Sequence, residues 1–245
     1  MVVIENRQRV RLVALDRPEK LNAFDAGLFS ACGDALEEAA GDDAVGALVL
    51  TGRGRAFSAG ADVAELAASA DGSASQDFVD AANRFQEILD DYPKPLLAAV
   101  NGMAVGIGTT LLTYVDLVFA GESARFRTPF ASLGVAPEAA SSWRLPQLVG
   151  WQNAAWMLLG ADWVDAERAV EIGLAFRRVP DDRLLESTLE AAGEIAAHPL
   201  ASLRAIRRSL TRWRLEPSVD ARRHENQEFR ALLAQGGFRS PLDRG

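Results

Sequence analysis

The 245-residue chain has one cysteine, two histidines and no surplus of basic residues. Cys32 alone cannot close an internal disulfide, and nothing suggests an oxidising compartment. His198 stands before a proline at a helix end and His224 lies in a charged helix, so neither fits a metal-ligand or triad pattern. With 26 Lys and Arg against 34 Asp and Glu, the net charge of −8 argues against the basic face that nucleic acid requires. An anionic small ligand stays admissible, because local arginines or helix N-termini bind phosphate whatever the total charge. No apolar run approaches the roughly 20 residues of a membrane helix. The opening "MVVIENRQRVRLVALDRP" is charged from its fifth residue and has no signal-peptide core. The expectation is a cytoplasmic protein with no membrane or nucleic-acid partner and no metal.

What is present suits one large domain: 49% apolar and 24% charged residues, enough to bury a sizeable core. Val10 to Leu15, "VGALVLTG", "LLAAVNG" and "DLVFAG" read as buried strands. "LFSACGDALEEAA", Gln76 to about Asp91 and "GTTLLTY" read as helices. This alternation predicts an α/β fold. After Pro180 the pattern turns helical, over Leu184 to Ala197, Leu203 to Leu210 and about Val219 to Ala234, with breaks at "HPLAS" and "RLEPS". The division expected is a core over 1–180 and a helical region over 181–245 of the same unit. "AASADGSASQD", 67–77, reads as a mobile surface loop.

Two strands run into glycine-bearing turns. In "VLTGRGRAFSAGADVAEL", Asp62 and Glu65 have capping-box spacing, which leaves the amides of Gly60 and Ala61 at a helix entry. In "LLAAVNGMAVGIGTTLL", the segment Gly106–Ile107–Gly108 opens another helix. Two such turns side by side aim two N–H groups at one oxygen, an oxyanion hole. Taken singly, each reads better as an ordinary glycine-bearing turn, and neither decides anything. Neither is a dinucleotide fingerprint, and there is no P-loop.

Taken with "LDRPEKLNAFD", "ARFRTPFASLGVAPEAASSWRLPQLVG" and "DAERAVEIGLAFRRVP", these blocks resemble the crotonase (enoyl-CoA hydratase/isomerase) family over most of the chain. The resemblance implies a ββα superhelix with a helical C-terminal trimerisation region, assembled as a homotrimer or dimer of trimers. It implies an acyl-CoA substrate, coenzyme A entering only as part of that substrate. It makes the N–H groups of Ala61 and Ile107 the oxyanion hole, flanked by Gly60, Gly106 and Gly108. Lys20, Leu21 and Ala23 would line the coenzyme A entrance. Ala59, Asp62 and Val63 would border adenine and pantetheine, and Thr110, Phe130 and Leu133 would be further substrate-binding positions.

Hydratases of this family carry two glutamates at positions that are Thr110 and Phe130 here. Neither side chain activates water at neutral pH, so efficient hydration is not expected. Glu138 remains. Its "PEA" setting resembles the branch that converts 3-enoyl-CoA to 2-enoyl-CoA through one glutamate base. On local sequence alone, Glu138 is also a favourable first-turn acid after proline. A helix end would lower its pKa, and an apolar pocket containing Phe130 would raise it; burial is expected to win. A hydratase, a thioesterase, a decarboxylase or a catalytically weak acyl-CoA-binding scaffold are the other readings. Trp143 reads as core or as a wall of the acyl pocket, Asp116 as a structural partner, and the arginines at 204, 207, 208, 212 and 214 as a solvated face, with contact to coenzyme A phosphates the lesser alternative. Members of the family usually finish with a basic helix that helps hold coenzyme A phosphates; the ending "GGFRSPLDRG" makes that helix not expected here, which leaves the phosphate anchoring open.

Overall fold

The computed structural model describes residues 1–71 and 75–239. In chain order the first half runs β1 (Val2–Arg7), β2 (Val10–Leu15), a 3-10 turn (Pro18–Lys20), α1 (Ala26–Gly41), β3 (Ala47–Gly52), β4 (Ala56–Ser58), α2 (Val63–Asp71) and α3 (Gln76–Asp90). There follow β5 (Leu96–Val100), β6 (Met103–Val105), α4 (Ile107–Thr110), β7 (Leu117–Gly121), β8 (Arg125–Arg127), α5 (Phe130–Leu133), α6 (Ser141–Val149) and α7 (Trp151–Ala155). The last part holds β9 (Val164–Asp165), α8 (Ala166–Glu171), β10 (Arg177–Val179), α9 (Leu184–Ala196) and α10 (Leu200–Ala234).

Six strands form one sheet in the order β1-β2-β3-β5-β7-β10, antiparallel at β1/β2 and parallel elsewhere. A smaller sheet, β4-β6-β8-β9, sits beyond its carboxyl edge. Three times the chain passes from a main strand to a short strand of the second sheet and then to a helix: β3-β4-α2, β5-β6-α4 and β7-β8-α5. The second-sheet strands β4, β6 and β8 pair in parallel, so successive units stack as the ββα superhelix expected.

Parallel strands covered on both faces carry near-continuous apolar runs, and β3 and β5 do so with Thr51 the one polar side chain. Leu48 and Leu50 of β3 join Leu96, Ala98 and Val100 of β5 under α1 and α3. Ala47 and Val49 join Leu97, Ala99 and Phe119 under α9. The helical region after residue 180 thus begins by covering one face of the core sheet. Among the described residues, no helix is long and apolar enough to cross a membrane.

Three local expectations need correction. The segment 67–77 is helical through Asp71, and residues 72–74 lie outside the described residues. The break expected at "RLEPS" is absent, because α10 continues through Pro217. The stretch that this proline weakens, 212–216, is exposed, so the carbonyl left without its helical donor is open to solvent. Leu203 and Arg207 before it, and Ser218, Arg222 and Glu225 after it, anchor both halves. Nor is the arginine cluster wholly solvated: Arg207 is buried, donating to Asp116 Oδ2 at 2.8 Å and to the Tyr114 carbonyl at 3.2 Å. Asp116 also accepts from the Leu96 amide, which confirms it as a structural partner.

Candidate active site

The second-sheet strands end at a cavity of about 370 Å³. Its wall brings together the two glycine turns, the α5 segment, the loop that carries Glu138 and the C-terminal end of the chain. Gly60 has φ +98° and Gly106 has φ +52° with ψ −122°, conformations that a side chain makes costly. They also pack back to back. A Cβ at Gly60 would lie 2.9 Å from the Val105 carbonyl and 3.8 Å from the Gly106 Cα. Glycine at these positions lets the two turns close on each other.

That closure sets two backbone amides beside the cavity. Phe24 and Ala61 form an isolated parallel bridge in which the Phe24 amide donates to the Gly60 carbonyl and the Asp62 amide to the Phe24 carbonyl. The Ala61 N–H points away from this bridge. Ile107 opens α4, where the first amides have no partner within the helix. Among the described residues, neither N–H is taken by an acceptor in the turn network. The Asp62 side chain accepts from Ala64 N at 3.0 Å, as an N-cap does, so the turn before α2 is held in place.

Across from Gly106 stands Glu138. Its Oε1 would be 3.7 Å from a Cβ on Gly106, one residue before Ile107. It is the only carboxylate among the described residues lining the cavity, where its neighbours include Phe130, Val135, Pro129 and Leu133. It is half-buried and lines this largely apolar recess. Burial, and then the charge of Glu225, push its carboxyl up to about 7. The expected contest between helix end and burial therefore goes to burial, because α6 begins only at Ser141 and Ala139–Ala140 separate it from the glutamate. A carboxyl with this proton affinity, a nearby pair of free amides and a dry wall can move a proton while an adjacent oxygen gains charge.

The comparison with known proteins decides the lineage. The family model described as enoyl-CoA hydratase/isomerase matches residues 5–243.

The chain belongs to the enoyl-CoA hydratase/isomerase family.

Over 95% of its length the chain is 36% identical to 2,3-dehydroadipyl-CoA hydratase of Escherichia coli (strain K12), covering 90% of that protein. It is 37% identical to enoyl-CoA delta isomerase 2 of Rattus norvegicus over 77% of this chain and 47% of that protein. The solved structure of Pseudomonas aeruginosa OdaA aligns with TM-score 0.88 at 33% identity, covering 98% of this chain and 94% of that one.

Of the residues expected at the site from sequence, Ala59, Gly60, Ala61, Val63, Gly106, Phe130, Leu133 and Glu138 line the cavity. Lys20, Leu21 and Ala23 do not; they run alongside it, with the Leu21 carbonyl accepting from Ala59 N at 2.9 Å. Asp62 is turned toward Arg17, 3.4 Å away. The Ile107 side chain is buried in the core and Gly108 abuts strand β4, where a Cβ would lie 2.7 Å from the Ser58 carbonyl. Thr110 is buried outside the cavity wall, its hydroxyl without a hydrogen-bond partner. Trp143 belongs to a separate small recess beside Arg144 and Gln147.

Among the lining residues that sequence reasoning missed are Arg127, Trp163, Phe229 and Phe238. Trp163 is clasped by Arg125 and Arg127, whose guanidinium carbons lie 5.0 and 5.5 Å from its ring centre. The tail after α10 folds back on α5, the Arg239 amide donating to the Leu133 carbonyl at 2.9 Å. One signal for the C-terminal contribution was available. Ser218, Arg222, Glu225 and Phe229 recur at helical spacing and face inward on an otherwise charged helix.

Proposed function

We propose that this family member shifts the double bond of a 3-enoyl-CoA to give a 2-enoyl-CoA. The observation that carries the reading is Glu138, a lone carboxylate of raised proton affinity in a cavity beside two unpaired amides. Glu138, as carboxylate, takes the C2 proton of the 3-enoyl thioester. The electron pair released spreads over C2–C4 and onto the thioester oxygen, where the Ala61 and Ile107 N–H groups receive it. The protonated glutamate then returns the proton at C4, leaving the double bond between C2 and C3. No atom is gained or lost, so one acid/base group suffices.

Hydration is the second reading, favoured by the similarity to a 2,3-dehydroadipyl-CoA hydratase. Syn addition of water calls on two positioned acid/base groups, each worth about 10²–10⁴-fold. Thr110 is buried away from the cavity and Phe130 lines it with an apolar ring, which supports isomerisation. The test is incubation with 3-enoyl- and 2-enoyl-CoA thioesters of several lengths, with products separated and weighed. Isomerisation leaves the mass unchanged; hydration adds one water. Hydration of a 2-enoyl-CoA at ordinary enzymatic rates, with no double-bond shift in any 3-enoyl-CoA, would overturn the proposal.

A further inference from the structure

Directly after Glu138, Ala139 and Ala140 both adopt left-handed backbone, with φ 57° and 55°. For residues with a side chain this conformation costs roughly 1–2 kcal/mol each. Two consecutive alanines in it persist only where the surroundings hold them. Here the surroundings reach across the fold. Glu225 of α10 is 2% exposed, and both its carboxylate oxygens accept from this segment: Oε2 from Ala140 N at 2.7 Å and Oε1 from Ser142 N at 2.7 Å. The Tyr114 hydroxyl donates to the Ala139 carbonyl at 2.8 Å. The turn that carries Glu138 is pinned at three backbone groups, two of them by one carboxylate.

We propose that Glu225 is a positioning residue for the reaction, its carboxylate holding the strained Ala139–Ala140 turn that aims Glu138 into the cavity. This role rests on Glu138 serving as the base. It also has an electrostatic side. The charged and titratable groups around Glu225 are Arg222 on its own helix, Arg144 on α6, Asp90 on α3, Tyr114 and Glu138; on the cavity side Arg127 lines the wall. His224 and Glu228 of α10 are exposed. Asp90 accepts from both Arg144 and Arg222, which ties the two cations to a third acid. Burial raises the Glu225 carboxyl above its usual range, while the donors from Ser142 and Ala140 and the Arg222 charge oppose that rise. The two N–H donors and the Arg222 charge favour the charged form of Glu225 against that burial. Glu138 therefore faces a buried anion, which keeps its proton affinity near that needed for transfer at neutral pH.

The test is Glu225→Gln in the full chain, assayed with a 3-enoyl-CoA across pH. The amide keeps one acceptor, loses the other and loses the charge. The expected result is a fall in kcat on the order of 10–10²-fold, as for a slightly misplaced base, with KM little changed. The midpoint of the acid limb moves below the wild-type value. A folded variant whose acid limb keeps the wild-type midpoint overturns the role, whatever its kcat. If the variant does not fold, carbon-13 NMR of glutamate-labelled wild type decides. Glu225 ionising at lower pH than Glu138 supports it, and the reverse order overturns it. Glu138→Gln is run alongside. Retained isomerisation in that variant defeats the assignment of the base, whereas its loss together with an unmoved Glu225→Gln midpoint defeats only the positioning role.

Discussion

Holding Glu138 in an apolar cavity costs the fold stability above neutral pH, and that cost is measurable without substrate. Its carboxyl stands at about 7 in the folded protein against an ordinary value of 4.5. Between these limits the folded state binds more protons than the unfolded state. The stability that a neutral Glu138 permits is therefore present at low pH, is lost as pH rises through this window, and levels off above about 7. A rise from 4.5 to about 7 is roughly 2.5 units, and at about 1.4 kcal/mol per unit the loss reaches about 3 kcal/mol. Glu138→Gln fills nearly the same volume and does not titrate, so it escapes the loss. For a chain of this size, about 2–4 °C per kcal/mol converts the effect to a relative gain in Tm of about 6–12 °C. The assay is thermal unfolding of wild type and variant at about pH 4.5 and pH 8, at one fixed protomer concentration because association also shifts Tm. Every other titrating group is common to both proteins, so the change in their Tm difference isolates residue 138. Parallel Tm curves, offset equally at both pH values, would refute a buried, raised Glu138.

Other substitutions probe the rest of the site. Gly106→Ala puts a side chain at a φ/ψ pair with a strain of about 1–3 kcal/mol, so isomerase kcat should fall by about tenfold or more at unchanged expression; steady-state kinetics reads it. Asp90→Ala leaves Arg144 and Arg222 without their buried anion, and breaking such an arrangement costs about 3–5 kcal/mol, which urea unfolding should register. Phe238→Ala removes part of the cavity wall, so kcat/KM should shift toward longer acyl chains when a length series is compared; an unchanged length preference would remove Phe238 from the acyl pocket.

The architecture was legible wherever one sequence signal determined it. Strands covered on both faces carry near-continuous apolar runs, and "ALVLTG" and "LLAAV" advertise that without any tertiary information. The glycine turns were legible as turns, and the resemblance joined them into one site. Glu138 was visible as a lone acid, but its proton affinity was only half explained. The apolar wall was foreseeable from Phe130, whereas the second cause, Glu225, comes from a helix far away in the chain. Non-local contributions escaped for this reason: Phe238 and Trp163 reach the cavity through packing that no spacing rule encodes, and the helical spacing of Phe229 marks an inward face without saying what it meets. Pro217 misled because proline was read as a stop, and nothing in local sequence says that both halves of a helix are anchored by buried residues.

The most direct measurement is the pH–rate profile of 3-enoyl-CoA isomerisation by wild type and Glu138→Gln. A single buried base gives a wild-type rate that climbs with pH to a plateau above an apparent pKa near 7, and a variant slower by about 10²–10⁴-fold without that limb. A variant that isomerises at the wild-type rate, with the same limb, would contradict the assignment of Glu138 as the base.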